Sequence, residues 1–241
     1  ASSVPADQFS FSFKQSCGAI TGEFYGDDWC YPGAQQGLPT VLLLGDSFSA
    51  PYGATLKKLS EKHPFSFRQY GRGQCAPLFG YGPKPCTELL AAVTSKVDLS
   101  KVQTVVLAMD WRQYIDGKKY FLMTDAEPQR ADAFAQALRE TIEYWRKAGK
   151  RVVLFFGPPQ GVNPLECVQR AFSLLPPKDC RITRAQAEAN DRGYRAKLAA
   201  ILQGQNDLLY FDPCKYLCDG EHCQVTDGKV VLYVDTHSTE G

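Results

Sequence analysis

Ser47 has the clearest potential for covalent chemistry in this chain of 241 residues. It lies in Gly45-Asp46-Ser47, directly after the apolar run 40–44, which has the length and composition of a buried strand. Ligands of parallel sheets bind outside the carboxyl ends of the strands, so Ser47 lies where a nucleophile is expected. Backbone N–H groups at the start of a following helix would stabilise an oxyanion there. A purely structural role, in which Asp46 or Ser47 caps that helix, fits the same turn.

A serine nucleophile needs a base, and the chain has three histidines, His63, His222 and His237. His63 and His222 lie in loop-like sequence, which is typical of solvated histidines. His237 follows the last apolar run, so it also lies at the carboxyl end of a predicted strand. Asp235 is close enough in sequence to orient the imidazole and stabilise its charged form. The pattern predicts Ser47 as nucleophile, His237 as general base and Asp235 as the supporting acid.

Apolar runs of strand length alternate along the chain with helical patterns. The runs are continuous, which is typical of parallel strands buried on both faces. They are residues 40–44, 105–109, 152–156, 208–211 and 230–234, with a weaker edge-strand candidate at 65–69. Helical patterns cover 52–62, 87–96, 134–145 before Gly149, and 183–202 before Gly204, the last opening with the capping box Thr183-x-x-Gln186. This order predicts an α/β fold with a mainly parallel sheet.

Charge and composition exclude several other classes of function. The chain has 27 Lys and Arg against 26 Asp and Glu, so neither a nucleic-acid surface nor a polybasic membrane patch is predicted. The longest apolar runs have about five residues, whereas a membrane span needs about 20. Residues 1–16 lack the apolar segment of a signal peptide. Gly71-x-Gly73 is no dinucleotide fingerprint, and no cofactor is predicted.

Nine cysteines predict disulfides and therefore an oxidising compartment. Sequential pairing leaves Cys214 unpaired and gives Cys17–Cys30, Cys75–Cys86, Cys167–Cys180 and Cys218–Cys223, although the sequence alone does not determine connectivity. The alternative is a zinc site formed by Cys214, Cys218, His222 and Cys223. Its spacing matches no common zinc finger, and two adjacent ligands of one ion are geometrically awkward. The prediction is therefore disulfides and no metal.

Gly45-Asp46-Ser47-Phe48, together with Asp235-x-His237, resembles the SGNH or GDSL-like hydrolases over residues 40–241. Phe48 replaces the family's usual Leu. The Asp-x-His spacing is shorter than the common Asp-x-x-His and resembles that of the alginate-type O-acetyltransferases of the periplasm. Three further stretches, 75–78, 105–111 and 217–223, resemble the SGNH domains that are fused to integral-membrane acyltransferases.

This resemblance implies a three-layer α/β/α, flavodoxin-like SGNH fold. It implies a catalytic domain at 40–241, preceded by a disulfide-clipped extension or linker at 1–39 and lacking the closing helix that the family has after this point. The oxyanion donors would be the backbone N–H groups of Ser47 and Gly73, with Gly73 favoured over Gly71. The family's Gly-x-Asn-Asp block is not matched, because residues 110–113 read Asp-Trp-Arg-Gln. One oxyanion donor is therefore missing or supplied differently, and Trp111 fits the core as well as a pocket.

The function implied is an extracytoplasmic O-acetyltransferase domain that acetylates hydroxyl groups of a cell-surface glycan through an acyl-serine intermediate. The acyl donor would be delivered by a membrane acyltransferase domain of the same polypeptide, at the periplasmic or extracellular face of the membrane. Two alternatives stay open. One is a carbohydrate acetylesterase in which water replaces the glycan as acceptor, and the other is a noncatalytic glycan-binding module.

Overall fold

The computed structural model describes residues 28–31, 37–117, 130–162, 167 and 180–225. The described strands are β1 (Asp28–Tyr31), β2 (Val41–Gly45), β3 (Phe67–Arg72), β4 (Thr104–Ala108), β5 (Arg151–Phe155), β6 (Ile182–Thr183), β7 (Leu209–Phe211) and β8 (His222–Cys223). The main sheet has the order β1-β3-β2-β4-β5-β7 over these residues. Strands β6 and β8 form a separate antiparallel pair.

The main sheet is parallel except for β1, which pairs with β3 in the antiparallel sense. Its parallel strands follow the flavodoxin-like order 2-1-3-4-5. The chain moves outwards from β2 to β3 and then crosses back to β4, so the strand order reverses between β2 and β4. Because such crossovers are right-handed, the reversal places helices on both faces of the sheet. The predicted α/β fold with a mainly parallel sheet is confirmed.

Helices alternate with these strands, as the spacing of apolar residues predicts. They are α1 (Ala50–Ser60), α2 (Lys84–Lys96), α3 (Trp111–Ile115), α4 (Ala131–Lys147), α5 (Arg184–Ile201) and α6 (Cys214–Leu217), and a 3₁₀ turn (Ser47–Ser49) precedes α1. In α4 the predicted apolar positions, Phe134 to Trp145, are buried. The capping box before α5 forms, because Gln186 N–H donates to Thr183 Oγ1 at 3.2 Å and Thr183 N–H donates to Gln186 Oε1 at 3.4 Å.

Strand β3 differs most from its prediction. The weak edge candidate at 65–69 becomes a strand that ends at Arg72 and lies between β1 and β2, so the edge assignment is wrong. The reason lies in its sequence, because Gln69 and Arg72 are polar and yet have exposed fractions of 0% and 1%. The covering strand β1 comes from within residues 1–39, so part of the predicted extension belongs to the sheet.

Contacts divide the chain into two compact units. The described residues of the larger unit are 28–31, 37–117, 130–156 and 197–211, and they contain the main sheet. Those of the smaller unit are 157–162, 167, 180–196 and 212–225. The smaller unit holds the β6–β8 pair, the disulfides Cys167–Cys180 and Cys218–Cys223, and an apolar cluster that includes Ile182 and Val225.

The disulfide Cys75–Cys86 lies in the larger unit and joins the loop after β3 to the first turn of α2. Three of the four predicted disulfides are thus present, while Cys17, the predicted partner of Cys30, lies outside the described residues. The predicted strand at 230–234 also lies outside them. Among the described helices, none combines the length and hydropathy that a membrane span requires.

Candidate active site

One row of paired residues crosses the sheet just below the predicted site. Gly45 of β2 pairs with Gly71 of β3 on one side and with Ala108 of β4 on the other. Ser47, Gly73 and Asp110 therefore each lie two residues beyond this row, at the carboxyl ends of three adjacent parallel strands. The strand order reverses between β2 and β4, and this is where ligands bind in open α/β sheets.

Gly45 is required at its place in this row by close packing. A Cβ atom there would lie 1.9 Å from the backbone oxygen of Ala108 and 2.4 Å from Cβ of Ser49. Backbone atoms cannot yield to such a contact without moving the strand. The glycine therefore lets the turn after β2 fold tightly against β4, and this fixes the height of Ser47 above the sheet.

Ser47 is the first residue of the 3₁₀ turn, which runs directly into α1. Its side chain is half-buried, and no described residue accepts a hydrogen bond from its hydroxyl group. Pro51 occupies the first turn of α1, where its missing N–H group costs no hydrogen bond. Ser47 therefore combines partial exposure with a position at the positive end of a helix, as a nucleophile requires.

Asp46 is buried beneath the turn, with an exposed fraction of 1%. Its Oδ1 accepts from the N–H group of Phe48 at 2.9 Å. Its Oδ2 accepts from the N–H group of Asp110 at 3.1 Å and from the hydroxyl group of Tyr114 at 2.8 Å. Burial raises the pKa of Asp46 to about 7, and the charge of Asp110 acts in the same direction, while the three hydrogen bonds oppose the shift. Asp46 thus caps the 3₁₀ turn, whereas the predicted side-chain capping of the following helix is not formed, because the N-cap residue of α1 is Ser49 and makes no such bond.

Residues 110–113, where the family's asparagine is expected, are engaged with one another. Asp110 has an exposed fraction of 7% and accepts from Arg112 Nε at 3.2 Å and from Gln113 Nε2 at 2.8 Å. Trp111 is 1% exposed and donates through its indole N–H to the backbone oxygen of Phe155 at 2.8 Å. Trp111 is thus a core residue that joins the start of α3 to β5. The backbone N–H group of Asp110 already donates to Asp46.

The underside of the turn is held by Gln69 of β3. Gln69 Nε2 donates to the backbone oxygen of Ser49 at 2.8 Å, and Ser49 Oγ donates to the backbone oxygen of Asp46 at 2.8 Å. Both side chains are fully buried. Together these bonds connect the turn to β3 as Asp46 connects it to β4. Hydrogen bonds to β3 and to the segment after β4 therefore hold the residues on both sides of Ser47.

The two candidate oxyanion glycines differ in position. Gly71 lies inside β3 and is buried, whereas Gly73 follows the end of the strand and is half-buried. The intervening Arg72 points into the protein and donates to the backbone oxygen of Pro85. Gln74 has φ of +59°, an unusual backbone conformation for a residue with a side chain. The Cys75–Cys86 disulfide follows directly. Gly73 therefore lies at the loop side of the row, where an N–H group can face a ligand.

Asp235 and His237 lie outside the described residues, so their predicted roles stay predictions. Two residues at this site were not predicted from the sequence. Tyr114 and Gln69 contact the turn from 68 and 20 residues away in the chain, and no local pattern marks either of them.

The cysteine-rich segment of the smaller unit contains a disulfide and a free thiol. Cys218 and Cys223 form a disulfide, which uses two of the four ligands of the alternative zinc site. Among the described residues no group of side chains has the arrangement of a metal site. Cys214 has a free thiol whose pKa is raised to about 12, first by burial and then by the neighbouring carboxylates, Asp212 foremost.

Comparison with known proteins places the chain among acyltransferase-associated domains. The family described as the SGNH domain fused to AT3 domains matches residues 16–238. The solved periplasmic domain of a Salmonella ser. Paratyphi A lipopolysaccharide acetyltransferase aligns with a TM-score of 0.51 and 15% identity, covering 80% of this chain and 73% of that one. A structure from Streptococcus pneumonia, named for platelet activating factor, aligns with a TM-score of 0.48 and 13% identity over 94% of this chain and 88% of that one.

No curated protein sequence matches this chain. At 15% identity the Salmonella domain shares the fold with this chain, and nothing finer follows from that alignment. The family match is the broader finding, since it covers Ser47, Gly73, Asp235 and His237.

Proposed function

Since this chain belongs to the family of SGNH domains that are fused to AT3 domains, we propose that it is an extracytoplasmic O-acetyltransferase domain. Its substrates would be an acetyl donor presented by a membrane acyltransferase domain and a hydroxyl group of a cell-surface glycan. The observation that carries the proposal is the place of Ser47, half-buried at the start of a helix, where the strand order reverses. The disulfides support a location outside the cytoplasm.

In the proposed first half-reaction, Ser47 Oγ attacks the carbonyl carbon of the donor while His237 accepts the serine proton. Asp235 would hold the imidazole in the productive tautomer and stabilise its positive charge. The backbone N–H groups of Ser47 and Gly73 would bind the negatively charged oxygen of the tetrahedral intermediate. When the intermediate collapses, the bond to the donor's leaving group breaks, and the proton on His237 passes to that group.

In the second half-reaction, a glycan hydroxyl group attacks the acetyl group on Ser47. His237 takes the proton of the attacking hydroxyl group, and the proton returns to Ser47 Oγ as the acyl–serine bond breaks. The buried hydrogen bonds of Asp46 and Gln69 support this scheme, because they hold the turn in one geometry throughout. The N–H group of Asp110 already donates to Asp46. The proposal therefore assigns the oxyanion to two backbone donors, the N–H groups of Ser47 and Gly73.

Mass spectrometry of this chain tests the proposal after incubation with 4-nitrophenyl acetate and a methyl glycoside. We expect an acetyl adduct on the peptide that contains Ser47, and acetylated glycoside as the product. Release of acetate alone, with the adduct formed, would identify an esterase instead. Glycoside binding without adduct or turnover would identify the noncatalytic module and refute the enzyme.

A further inference from the structure

Tyr114 reaches the nucleophile turn from a different part of the fold. It lies on α3, after β4, and its exposed fraction is 0%. Its ring stacks on Phe134 with 6.1 Å between centroids and meets the edge of Tyr81 at 6.2 Å. Its hydroxyl group donates to Asp46 Oδ2 at 2.8 Å. The phenol is therefore held by packing at one end and directed at a buried carboxylate at the other.

The other oxygen of this carboxylate determines the shape of the turn. Asp46 Oδ1 accepts from the N–H group of Phe48, which closes the first bend after β2 around Ser47. Rotation of the carboxyl group would weaken this bond and would change the direction of the Ser47 backbone N–H and side chain. Fixing the carboxylate thus also fixes the two parts of Ser47 that the proposed reaction uses.

The groups around Asp46 act in opposite directions on its ionisation, and the hydroxyl group of Tyr114 is one of those that favour the charged form. Among the described residues, Asp110 raises the pKa of Asp46, while Tyr114 lowers it through its hydrogen bond. Arg112 forms an ion pair with Asp110 at 3.2 Å, and β3 contributes Gln69, which is neutral, below the turn. The ionised carboxylate has hydrogen-bond donors on both oxygens. These hydrogen bonds favour the ionised form of Asp46, whereas burial and the charge of Asp110 disfavour it.

We propose that Tyr114 is a positioning residue of the reaction, whose hydroxyl group holds Asp46 in the orientation that fixes the turn carrying Ser47. This inference rests on the proposed role of Ser47 as the nucleophile. Tyr114 touches no reacting atom and acts only through Asp46.

Tyr114→Phe tests the inference, with Tyr81→Phe as the matched control. Tyr81 is also a buried tyrosine of this aromatic cluster, but its hydroxyl group has no hydrogen-bond partner among the described residues. For Tyr114→Phe we expect kcat for 4-nitrophenyl acetate to fall about tenfold, with KM unchanged, because a buried hydrogen bond to a charged group is lost. The acid limb of the pH–rate profile should move to higher pH. For Tyr81→Phe, kcat and the position of the acid limb should stay at their wild-type values.

Thermal unfolding of both variants measures how much of each protein is folded. If Tyr114 had only a structural role, the activity of Tyr114→Phe would fall in proportion to its folded fraction, and its pH–rate profile would not move. That result, or equal kinetics of the two variants, would overturn the inference. A ¹³C titration of the Asp46 carboxyl group in the Ser47→Ala background gives a readout without turnover. Its pKa should be higher with Tyr114→Phe, and an unchanged pKa would overturn the inference. If Ser47→Ala itself keeps full activity, the proposed function fails, while this titration still decides whether Tyr114 holds Asp46.

Discussion

Gly45 and Gly71 are direct partners in the parallel pairing of β2 with β3. The residues two positions beyond them, Ser47 and Gly73, therefore leave the sheet side by side from adjacent strands. The proposed mechanism needs the nucleophile Ser47 and the oxyanion donor Gly73 to face the same carbonyl group, and adjacent strand ends are consistent with that requirement.

Ser47→Ala should lower acetyl transfer and ester hydrolysis at least about 10³-fold, because only binding and the oxyanion donors would remain. The fold should persist, since no described residue accepts a hydrogen bond from the lost hydroxyl group. Initial rates with 4-nitrophenyl acetate measure the effect. Ser95→Ala, which removes an exposed serine hydroxyl from α2, is the control and should keep the wild-type rate. A Ser47→Ala rate within about tenfold of wild type would end the serine mechanism.

Gly45→Ala should destabilise the protein by about 2 kcal/mol or more, because the new methyl group would overlap the backbone of Ala108 and the side chain of Ser49. Gly193→Ala is the matched control, since this exposed glycine inside α5 has open space around its Cα atom. It should stabilise the protein by roughly 0.5–1 kcal/mol through helix propensity. Chemical denaturation of both variants measures the two effects, and equal midpoints would contradict the packing argument.

Asp235→Asn should preserve the fold and slow turnover about 10²–10⁴-fold, because the imidazole of His237 would be held in the wrong tautomer and its charge less stabilised. The corresponding change in a serine protease costs about 10⁴-fold. Turnover of an acetyl ester measures the loss, and circular dichroism confirms folding. If Asp235 only caps a turn, Asn makes the same bonds and the variant should keep its activity. That outcome would reduce the proposed site to Ser47 and His237.

Asp46 should make stability depend on pH with an unusual sign. Its pKa is about 7 in the folded protein, above the ordinary value of 3.8. A raised pKa gives stability that is fully present below pH about 4 and is lost as the pH rises through about 7. The full contribution is on the order of 4 kcal/mol. In Asp46→Asn the loss of stability with rising pH should disappear. The variant also lacks one acceptor oxygen, but that difference is the same at every pH. Urea denaturation from pH 4 to 8 measures both curves, and parallel curves would refute the assignment.

The cysteines should be oxidised except for one. Unfolded, unreduced protein should contain about one free thiol, most of it at Cys214. Each disulfide that closes a loop of about a dozen residues should contribute roughly 3 kcal/mol to the free energy of unfolding. In the folded protein Cys214 should react slowly with iodoacetamide, because its raised pKa leaves little thiolate. Mass spectrometry with and without denaturant measures both. Six or more thiols would contradict the oxidising compartment.

The sequence predicts the parallel strands well because their burial on both faces requires continuous apolar runs. Strands β2, β4, β5 and β7 were found in this way, with ends within one residue of the predicted ones. Strand β3 was underestimated because its buried polar residues, Gln69 and Arg72, donate hydrogen bonds to partners distant in the chain. A single sequence does not show such partners.

The candidate site was predictable where its signal is local. Asp46 and Ser47 are recognisable from one turn after one strand, and Thr183 with Gln186 from one capping box. Tyr114 was not recognisable, because its role exists only after β4 has paired beside β2 and α3 has packed. Residues that support a site through tertiary hydrogen bonds are therefore the part that local patterns miss.

Strand β1 also has a consequence for how the domain is produced. It covers the outer edge of β3, and its residues precede position 40, where the sequence suggested that the catalytic domain begins. A clone that starts at residue 40 would expose the unpaired N–H and C=O groups of β3. Open edges of this kind pair with other chains, so such a clone should aggregate edge to edge even though every predicted catalytic residue is present.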